Sequence, residues 1–455
     1  MSVNERADVV VLGLGHAGAY IMRALAEAGL DVVGVGPRLV AGERGHWGHI
    51  DDEMTPGAGY LLSAPRPTAP FARGASWAAG RSRTVGGVRG RATGDRVDRR
   101  AADLLAVKRG RFVPGRGRLT GPCQVSVGER TFHARRGVVL ATGAQPRLPA
   151  VRGRSGTPYW TDENAMAAVE LPASLIVLGD SGLGVETAQL FARFRCAVTV
   201  VERQRRLLSW EEPEASTLTE RALLRDGVTV LTSAGASEVA YDGTGFTVHL
   251  DGGTEPLRAE RMLVTTERQA DLTGLGLDTA GLVASSAVVP TDGQMRAGRG
   301  LWAVGDVTGR GLSSDVALYQ AEVAVRDILG WLGPDTDHQK LARLVYADPE
   351  IAAVGPTERQ ARNQRLRVRT SLLPIDSSDR RGPQGRRREG FVKLVEDADR
   401  GVLVGATSAG PAGAEVLYAL NVAVHAEMSV ERLRHAVPAC VPFHRTVEAA
   451  LGGLC

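Results

Sequence analysis

Cysteine is scarce in this chain. Its 455 residues include four cysteines, and no two of them stand in a C-x-x-C or other metal-ligand spacing. They are Cys123, Cys196, Cys440 and Cys455. This distribution predicts neither a disulfide framework nor a zinc site.

Long apolar runs are also missing. No uninterrupted hydrophobic segment reaches the ~18 residues that a membrane-spanning helix needs, which argues against a membrane protein. The N-terminal residues run directly into an apolar strand, without the basic region and small-residue cleavage site of a signal peptide. We therefore expect a cytoplasmic protein with no membrane partner.

The charges show no strong excess of one sign. The 55 basic and 51 acidic residues give a net charge of +4 at pH 7, and both signs are mixed along the chain. This mixture argues against a dedicated nucleic-acid surface. Hydrophobic residues at 43% and charged residues at 23% are typical of a folded protein, and the length indicates two or three domains.

A dinucleotide-binding pattern opens the chain. Residues 8–15 form a β-branched run that ends in the motif Gly13-x-Gly15-x-x-Gly18, and a segment with helical periodicity follows. A second apolar strand is predicted at residues 31–35. The strand, glycine turn and helix in this order predict a βαβ unit with the glycines at a pyrophosphate site.

The same pattern occurs a second time. An apolar strand at residues 174–179 leads into a glycine-rich turn that ends at Gly184, and a helix follows. The next strand, residues 197–201, ends at Glu202. The chain therefore carries two predicted nucleotide-binding folds.

Two further short strands close on small residues, and a different pattern follows them. One ends in Ala141-Thr142-Gly143, and the other in Gly305-Asp306. From about residue 337, short apolar runs and a helix predict an antiparallel sheet with helices.

The order of these motifs resembles that of the pyridine nucleotide-disulfide oxidoreductases, the mercuric reductase and dihydrolipoamide dehydrogenase group, over essentially the whole chain. The resemblance implies an α/β fold with two Rossmann-like dinucleotide-binding domains, of FAD and NAD(P) type, and a C-terminal α+β dimerisation domain. The motifs that carry it are the two glycine turns, the second followed by Glu186, residues 141–143, Gly305-Asp306, residues 348–355 and residues 435–439.

The resemblance also predicts domain boundaries, a cofactor and a homodimer. The FAD-type domain would comprise residues 1–150 and 276–336, the NAD(P)-type domain residues 151–275, and the interface domain residues 337–455. The residues expected to bind FAD are Gly13, Gly15, Gly18, Gly42, Thr142, Gly143, Gly305 and Asp306.

The redox dithiol of the family has no counterpart here. The family carries a C-x-x-x-x-C pair beside the flavin and a lysine four residues later. The resemblance places Arg44 and His49 at the two cysteine positions and Glu53 at the lysine position. Neither a guanidinium nor an imidazole forms a disulfide, so dithiol chemistry at this segment is excluded.

Other departures concern the cofactors. Gly36 stands where an acidic residue should hold the FAD ribose, so the affinity for FAD should fall. Together with the missing dithiol, this predicts that FAD is kept as a non-redox element or is lost. Ser181 replaces the middle glycine of the second motif, and Glu267 places an anion near a phosphate-binding domain. Both disfavour NAD(P), although Glu202 and Arg203 still suit a ribose.

The segment around the lost dithiol is a candidate polar pocket. Its predicted catalytic residues are His49 or Glu53 as a general base and Arg44 as an oxyanion partner, with Trp47 as an aromatic wall. The alternative is an inactive site filled by polar residues without a role.

Two other groupings give no assigned site. His46, His49 and Asp52 have a spacing that chelates metal on a helix, but no further ligand cluster supports them, and no metal is predicted. His444 and Glu448 are one helical turn apart; their spacing does not match the histidine–glutamate pair of the family, and a structural or surface pair is the favoured interpretation.

Three functions follow from these residues. The first is a non-redox cyclase, cycloaddition catalyst or isomerase for a small organic substrate, such as an intermediate of antibiotic biosynthesis. The second is an FAD-dependent NAD(P)H oxidoreductase in which the flavin passes electrons directly. The third is a catalytically dead binding subunit.

Overall fold

The computed structural model describes residues 3–37, 110–146, 151–153, 156–166, 168, 170–179, 181–253, 255–266, 268–283, 287–310, 313–375, 389–410, 412–436 and 442–454. These residues divide into two compact units. Unit 1 takes the described residues of 1–54, 89–147 and 267–338, and unit 2 takes those of 148–266 and 339–455.

The strands in chain order are β1 Val3–Leu12, β2 Val32–Gly36, β3 Gly110–Pro114, β4 Arg118–Gly121, β5 Gln124–Val127, β6 Arg130–Leu140, β7 Gln145–Pro146, β8 Ser174–Leu178, β9 Ala197–Val201, β10 Thr229–Leu231, β11 Ala236–Tyr241, β12 Phe246–Leu250, β13 Leu257–Ala259, β14 Arg261–Val264, β15 Arg268–Gln269, β16 Arg296–Gly298, β17 Leu301–Ala303, β18 Ala342–Val345, β19 Glu350–Val354, β20 Val368–Pro374, β21 Phe391–Asp397 and β22 Val402–Gly410. The α-helices are α1 His16–Glu27, α2 Asp162–Met166, α3 Gly182–Arg193, α4 Pro213–Arg225, α5 Ser314–Leu329, α6 Glu358–Asn363, α7 Gly413–His425, α8 Val430–Arg434 and α9 Pro442–Gly452.

Unit 1 is built on a largely parallel sheet with the strand order β16-β17-β6-β1-β2-β3. Both faces of the second half of β1 are buried, which explains the continuous apolar run at residues 9–12. Val9 and Val11 pack in a core with α1 and α5, whereas Val10 and Leu12 pack on the opposite face with the β4–β5 hairpin. The carboxyl ends of β1, β6 and β17 are adjacent because these strands pair in parallel.

Unit 2 contains a second parallel sheet, in the order β10-β9-β8-β14. Helix α3 follows β8 as α1 follows β1, so the repeated sequence pattern gives a repeated βαβ structure. A small antiparallel sheet, β11-β12-β13, is inserted before β14.

The C-terminal part of unit 2 is an antiparallel sheet in the order β18-β19-β22-β21-β20. Helices α7 and α9 pack on it through a separate apolar core that includes Leu394, Leu403, Leu420 and Leu451. The α+β pattern predicted from residue 337 onwards therefore corresponds to a real sheet with helices. The boundaries predicted between the domains stay a prediction. Among the described residues, no helix is both long enough and apolar enough to span a membrane.

Candidate functional site

The first glycine turn connects β1 to α1 and leaves one position open. A Cβ at Gly13, whose φ is +91°, would meet the carbonyl oxygen of Ala141 at 2.2 Å, and a Cβ at Gly18 would meet the carbonyl oxygen of Gly13 at 1.9 Å. These two glycines are therefore required for packing. A Cβ at Gly15 would meet no atom of the described chain within 4 Å, so the described residues leave room for a ligand beside this backbone.

Gly15 is also the residue that precedes the first turn of α1. As a glycine, it has no side chain that could cap the N–H groups of this turn. The first N–H groups of a helix lack intrahelical partners and attract an anion. A glycine that no described atom opposes and a helix N-terminus therefore coincide at one place in unit 1.

The adjacent strand β6 ends beside this turn. The Ala141 N–H donates to the carbonyl oxygen of Leu12 at 2.7 Å, and Gly143 has a φ of +71°. The hydroxyl of Thr142 between them is buried, and no group of the described residues bonds it. A buried hydroxyl without a partner is costly, so this atom is suited to a bound polar ligand.

Strand β17 brings the third segment to the same edge. It leads into a single 3-10 turn, Gly305–Thr308, that carries Asp306. The Asp306 carboxylate pairs with Arg268, with 3.1 Å between Oδ2 and Nε. The Nη2 of Arg268 also donates to the carbonyl oxygen of Ala144 at 2.9 Å. Arg268 thus connects the β6 segment with the β17 segment.

The second glycine turn, in unit 2, differs from the first at the aligned middle position. Ser181 caps α3, and its Oγ accepts a hydrogen bond from the Gly184 N–H at 3.1 Å. Gly184 itself is required for packing, because a Cβ there would meet Thr265 Oγ1 at 2.3 Å. The Ser181 hydroxyl therefore occupies, in unit 2, the position that corresponds to the open side of Gly15 in unit 1.

The comparisons with known proteins decide the family. The sequence model described as pyridine nucleotide-disulphide oxidoreductase matches residues 7–327, and the model of its dimerisation domain matches residues 341–450. This chain belongs to the pyridine nucleotide-disulphide oxidoreductase family.

Individual relatives agree with this assignment. The chain is 29% identical to a dihydrolipoyl dehydrogenase of Chlorobaculum tepidum, over 98% of this chain and 97% of the relative. It is 33% identical to a dihydrolipoyl dehydrogenase of Chlorobaculum parvum, over 75% of this chain and 74% of the relative. A mercuric reductase of Bacillus cereus is 30% identical, over 72% of this chain and 52% of that protein.

Solved structures share the fold. LpdA of Mycobacterium tuberculosis matches with a TM-score of 0.77 at 23% identity, over 99% of this chain and 100% of that one. The HOCl-induced flavoprotein disulfide reductase RclA of Escherichia coli matches with a TM-score of 0.78 at 22% identity, over 98% of this chain and 99% of that one. The family and the fold class predicted from the sequence are confirmed.

Membership of the oxidoreductase family implies FAD, and the residues of unit 1 fit such a group. The open Gly15 backbone precedes a helix N-terminus, as a pyrophosphate requires, and the buried Thr142 hydroxyl needs a partner. The departure at Gly36 is also present: β2 ends there without an acidic side chain, and the Gly36 carbonyl accepts from the Gly115 N–H at 3.1 Å. The ribose would lack one acceptor on this strand.

The acidic residue expected after the second strand of the unit 2 nucleotide fold, Glu202, is present, but its carboxylate already has a hydrogen-bond donor. Glu202 follows β9 and is only 6% exposed. Its carboxylate accepts the backbone N–H of Gln204, and Arg203 pairs with Asp251 at 3.7 Å. A ribose hydroxyl that bonds Glu202 would therefore have to share a carboxylate that already accepts a hydrogen bond from the loop after β9.

Sequence reasoning missed two features of the site. The sequence assigned no role to Arg268, whereas this residue pairs with Asp306 in unit 1. Glu186 served only as a motif residue, yet burial raises the pKa of its carboxyl to about 7, an effect partly offset by the hydrogen bond from the Tyr346 N–H at 2.8 Å. Burial and tertiary partners of this kind have no local sequence signal.

Several predicted site residues lie outside the described residues. They are the predicted catalytic residues Arg44, His49 and Glu53, the FAD residue Gly42, and the related positions His46, Trp47, Asp52 and Glu267. The roles assigned to them remain predictions. Glu448 is exposed on α9, and the side chain of His444 lies outside the description.

Proposed function

We propose that this family member binds FAD in unit 1 and acts on a small organic molecule, without a dithiol relay and without reduction by a pyridine nucleotide. The reaction we favour is a non-redox cyclisation, cycloaddition or isomerisation, for example of an antibiotic-biosynthesis intermediate. The observation that carries the proposal is the Ser181 hydroxyl, which caps the helix at the second nucleotide motif. The four cysteines support it, because no two of them are separated by four residues.

The proposed FAD site uses the open side of unit 1. The Gly15 backbone and the first N–H groups of α1 would face the pyrophosphate, while Thr142 and Asp306 would bond hydroxyl groups of the cofactor. FAD, when bound, supplies a planar, polarisable ring against which a small substrate can stack. The ion pair with Arg268 holds the Asp306 carboxylate in place.

The proposed catalytic residues are the polar side chains at the lost dithiol. His49 or Glu53 would move a proton, and Arg44 would stabilise negative charge that develops on the substrate. Rearrangements of this class need orientation and polarisation rather than a thiolate nucleophile. This requirement suits a segment in which guanidinium, imidazole and carboxylate replace sulfur and lysine.

A second candidate is an oxidoreductase in which NAD(P)H reduces the flavin and the flavin reduces the substrate directly. It is favoured by the parts of the second fold that are retained. Gly179 keeps a φ of +100°, Gly184 keeps its close approach to Thr265, and Glu202 still follows β9. A nucleotide that displaced the Ser181 hydroxyl from the Gly184 N–H would find a complete βαβ unit.

The proposed assembly is a homodimer formed through the C-terminal sheet and its helices. The match of residues 341–450 to a dimerisation domain supports it. The proposed partner in the site is a small molecule, and the protein would act in the cytoplasm.

The visible absorption spectrum of the purified protein tests these proposals. We expect flavin bands, either as purified or after addition of FAD, that persist when NADH or NADPH is added without oxygen. Dithionite is the matched control, because it reduces an accessible flavin without a nucleotide site. Bands that dithionite bleaches but NAD(P)H does not would support the first candidate.

The other outcomes each decide against one part of the proposal. Bleaching by NADH or NADPH at a rate that permits turnover would establish the oxidoreductase candidate instead. A protein that shows no flavin bands at any FAD concentration would overturn the proposed FAD site.

A further inference from the structure

The amide of Gln320 bonds both ends of the turn that carries Asp306. Gln320 lies on α5 and is 0% exposed. Its Oε1 accepts the Gly305 N–H at 2.6 Å, and its Nε2 donates to the carbonyl oxygen of Arg310 at 3.3 Å. A single buried side chain therefore bonds both Gly305, the first residue of the 3-10 turn, and Arg310, which follows the turn.

The orientation of this amide is fixed by its partners. Only Oε1 can accept from the Gly305 N–H, and only Nε2 can donate to the Arg310 carbonyl. The same Nε2 lies 3.0 Å from His338 Nε2, which must then be the acceptor, with the imidazole proton on Nδ1. Burial, followed by the nearby charge of Arg310, lowers the pKa of His338, which keeps this imidazole neutral.

Other bonds hold the later residues of the turn: the Gly309 N–H donates to the Asp306 carbonyl at 2.9 Å, and the Arg310 N–H donates to the Thr308 hydroxyl at 3.2 Å. Gly305 has a φ of +78°, and the Thr308 hydroxyl donates to the Gly305 carbonyl at 2.8 Å. The Gly305 N–H itself faces the interior, where a missing acceptor would leave a buried donor unpaired. Gln320 supplies that acceptor, and Asp306 is the next residue along the chain.

We propose that Gln320 is the positioning residue for FAD in this chain: its amide fixes the Gly305–Arg310 turn, so that the Asp306 carboxylate is presented to the cofactor. This inference rests on the proposed FAD site, and it assigns a role to a residue outside the family motifs named above. Gln320 does not touch the cofactor, and it acts through Asp306. Its removal should weaken FAD binding more than it weakens the fold.

The experiment compares wild-type protein with Gln320→Met and Gln320→Glu. Methionine keeps the volume and removes both hydrogen-bonding groups, whereas glutamate keeps the acceptor for Gly305 and removes the donor to Arg310. The readouts are the Kd of FAD, from quenching of its fluorescence, the band shape of bound flavin, and the Tm of the FAD-free protein. We expect Kd to rise at least ~10-fold for Gln320→Met and ~3-fold for Gln320→Glu.

Gln189 provides a matched control in unit 2. It is also 0% exposed, and its amide donates to Asp226 Oδ2 and to the Asp348 carbonyl, both at 2.9 Å, and accepts the Asp348 N–H at 2.8 Å. Gln189→Met should lower Tm as Gln320→Met does, but should leave the Kd of FAD unchanged. This separates positioning of the cofactor from a general loss of a buried amide.

Two results would overturn this inference and leave the proposed FAD site intact. One is that wild-type protein binds FAD and Gln320→Met binds it equally well. The other is that Gln189→Met weakens FAD binding as much as Gln320→Met does. If Gln320→Met does not fold, an unchanged Kd for Gln320→Glu overturns the inference. If wild-type protein itself does not bind FAD, both the proposed FAD site and this inference are wrong.

Discussion

At the scale of single residues, Ser181 and Gly15 give the chain two different nucleotide turns. Both residues precede the first turn of a helix at the middle position of a glycine motif. The hydroxyl of Ser181 accepts the Gly184 N–H, so part of the partial positive charge of that helix end is already satisfied. A phosphate at this helix must replace that hydrogen bond before it gains a new one.

Ser181→Gly should therefore increase the affinity for NADH and NADPH. We expect Kd to fall about 10-fold, because the variant frees one backbone donor and removes the side chain from the phosphate side. A serine-to-glycine change at a helix cap costs only a few tenths of a kcal/mol, so the fold should be retained. Quenching of protein fluorescence by NADH measures the affinity.

Ser429→Gly is the control for the loss of a cap. Ser429 caps α8 in the same unit, where its hydroxyl accepts the Arg432 N–H at 3.3 Å. This variant should bind NADH as wild-type protein does. Weaker NADH binding by Ser181→Gly would contradict the prediction, and would mean that the Ser181 hydroxyl donates to the phosphate.

At the scale of elements, the β1–α1 turn separates residues needed for the fold from one needed for the ligand. Gly13→Ala should destabilise unit 1 by at least about 2 kcal/mol, since Gly13 has a φ of +91° and its Cβ would collide with the Ala141 carbonyl. Gly15→Ala should cost less than about 1 kcal/mol, since no described atom opposes its Cβ. We expect Gly15→Ala instead to weaken FAD binding about 10-fold.

Thermal unfolding without FAD and a titration with FAD check these two changes together. Each variant serves as the control for the other, because both add one methyl group to the same turn. Equal losses of stability would show that Gly15 is also a packing residue. An unchanged FAD affinity in Gly15→Ala would remove the proposed pyrophosphate position.

The sequence predicted this turn because its constraints are local. A glycine at positive φ and a strand that leads directly into a helix leave a recognisable spacing at residues 13–18. The Arg268–Asp306 pair and the bond from the Gly305 N–H to Gln320 leave no such trace. They join residues that the parallel sheet and α5 bring together, and a glutamine in a helix has the same appearance in the sequence whether it is exposed or buried.

At the scale of the whole molecule, the order of motifs along the chain was enough to predict the family and both parallel sheets. Each βαβ unit carries its own periodicity and glycine turn, so the repeat is visible without knowledge of long-range contacts. The substrate is different. In the proposed function it would depend on residues 44–53, which have no repeat or motif in this chain that specifies a chemistry.

The last prediction concerns the interface of the proposed homodimer. Helix α7 has one face buried on the C-terminal sheet, while its outer face exposes Tyr418 (73% exposed) and Val422 (50% exposed), one helical turn apart. Large apolar side chains that share an exposed face are typical of a protein interface. We expect a chain with both Tyr418→Glu and Val422→Glu to lose dimerisation, because association would bury two uncompensated carboxylates.

Light scattering during size-exclusion chromatography distinguishes a dimer of two 48.1 kDa chains from a monomer. Leu224→Glu is the control, because Leu224 is 53% exposed on α4 and lies outside the dimerisation-domain match. That variant should remain dimeric. A doubly substituted chain that stays dimeric at micromolar concentration would place the interface elsewhere on the chain, whereas a monomer that still binds FAD would show that the flavin site of unit 1 forms without the partner subunit.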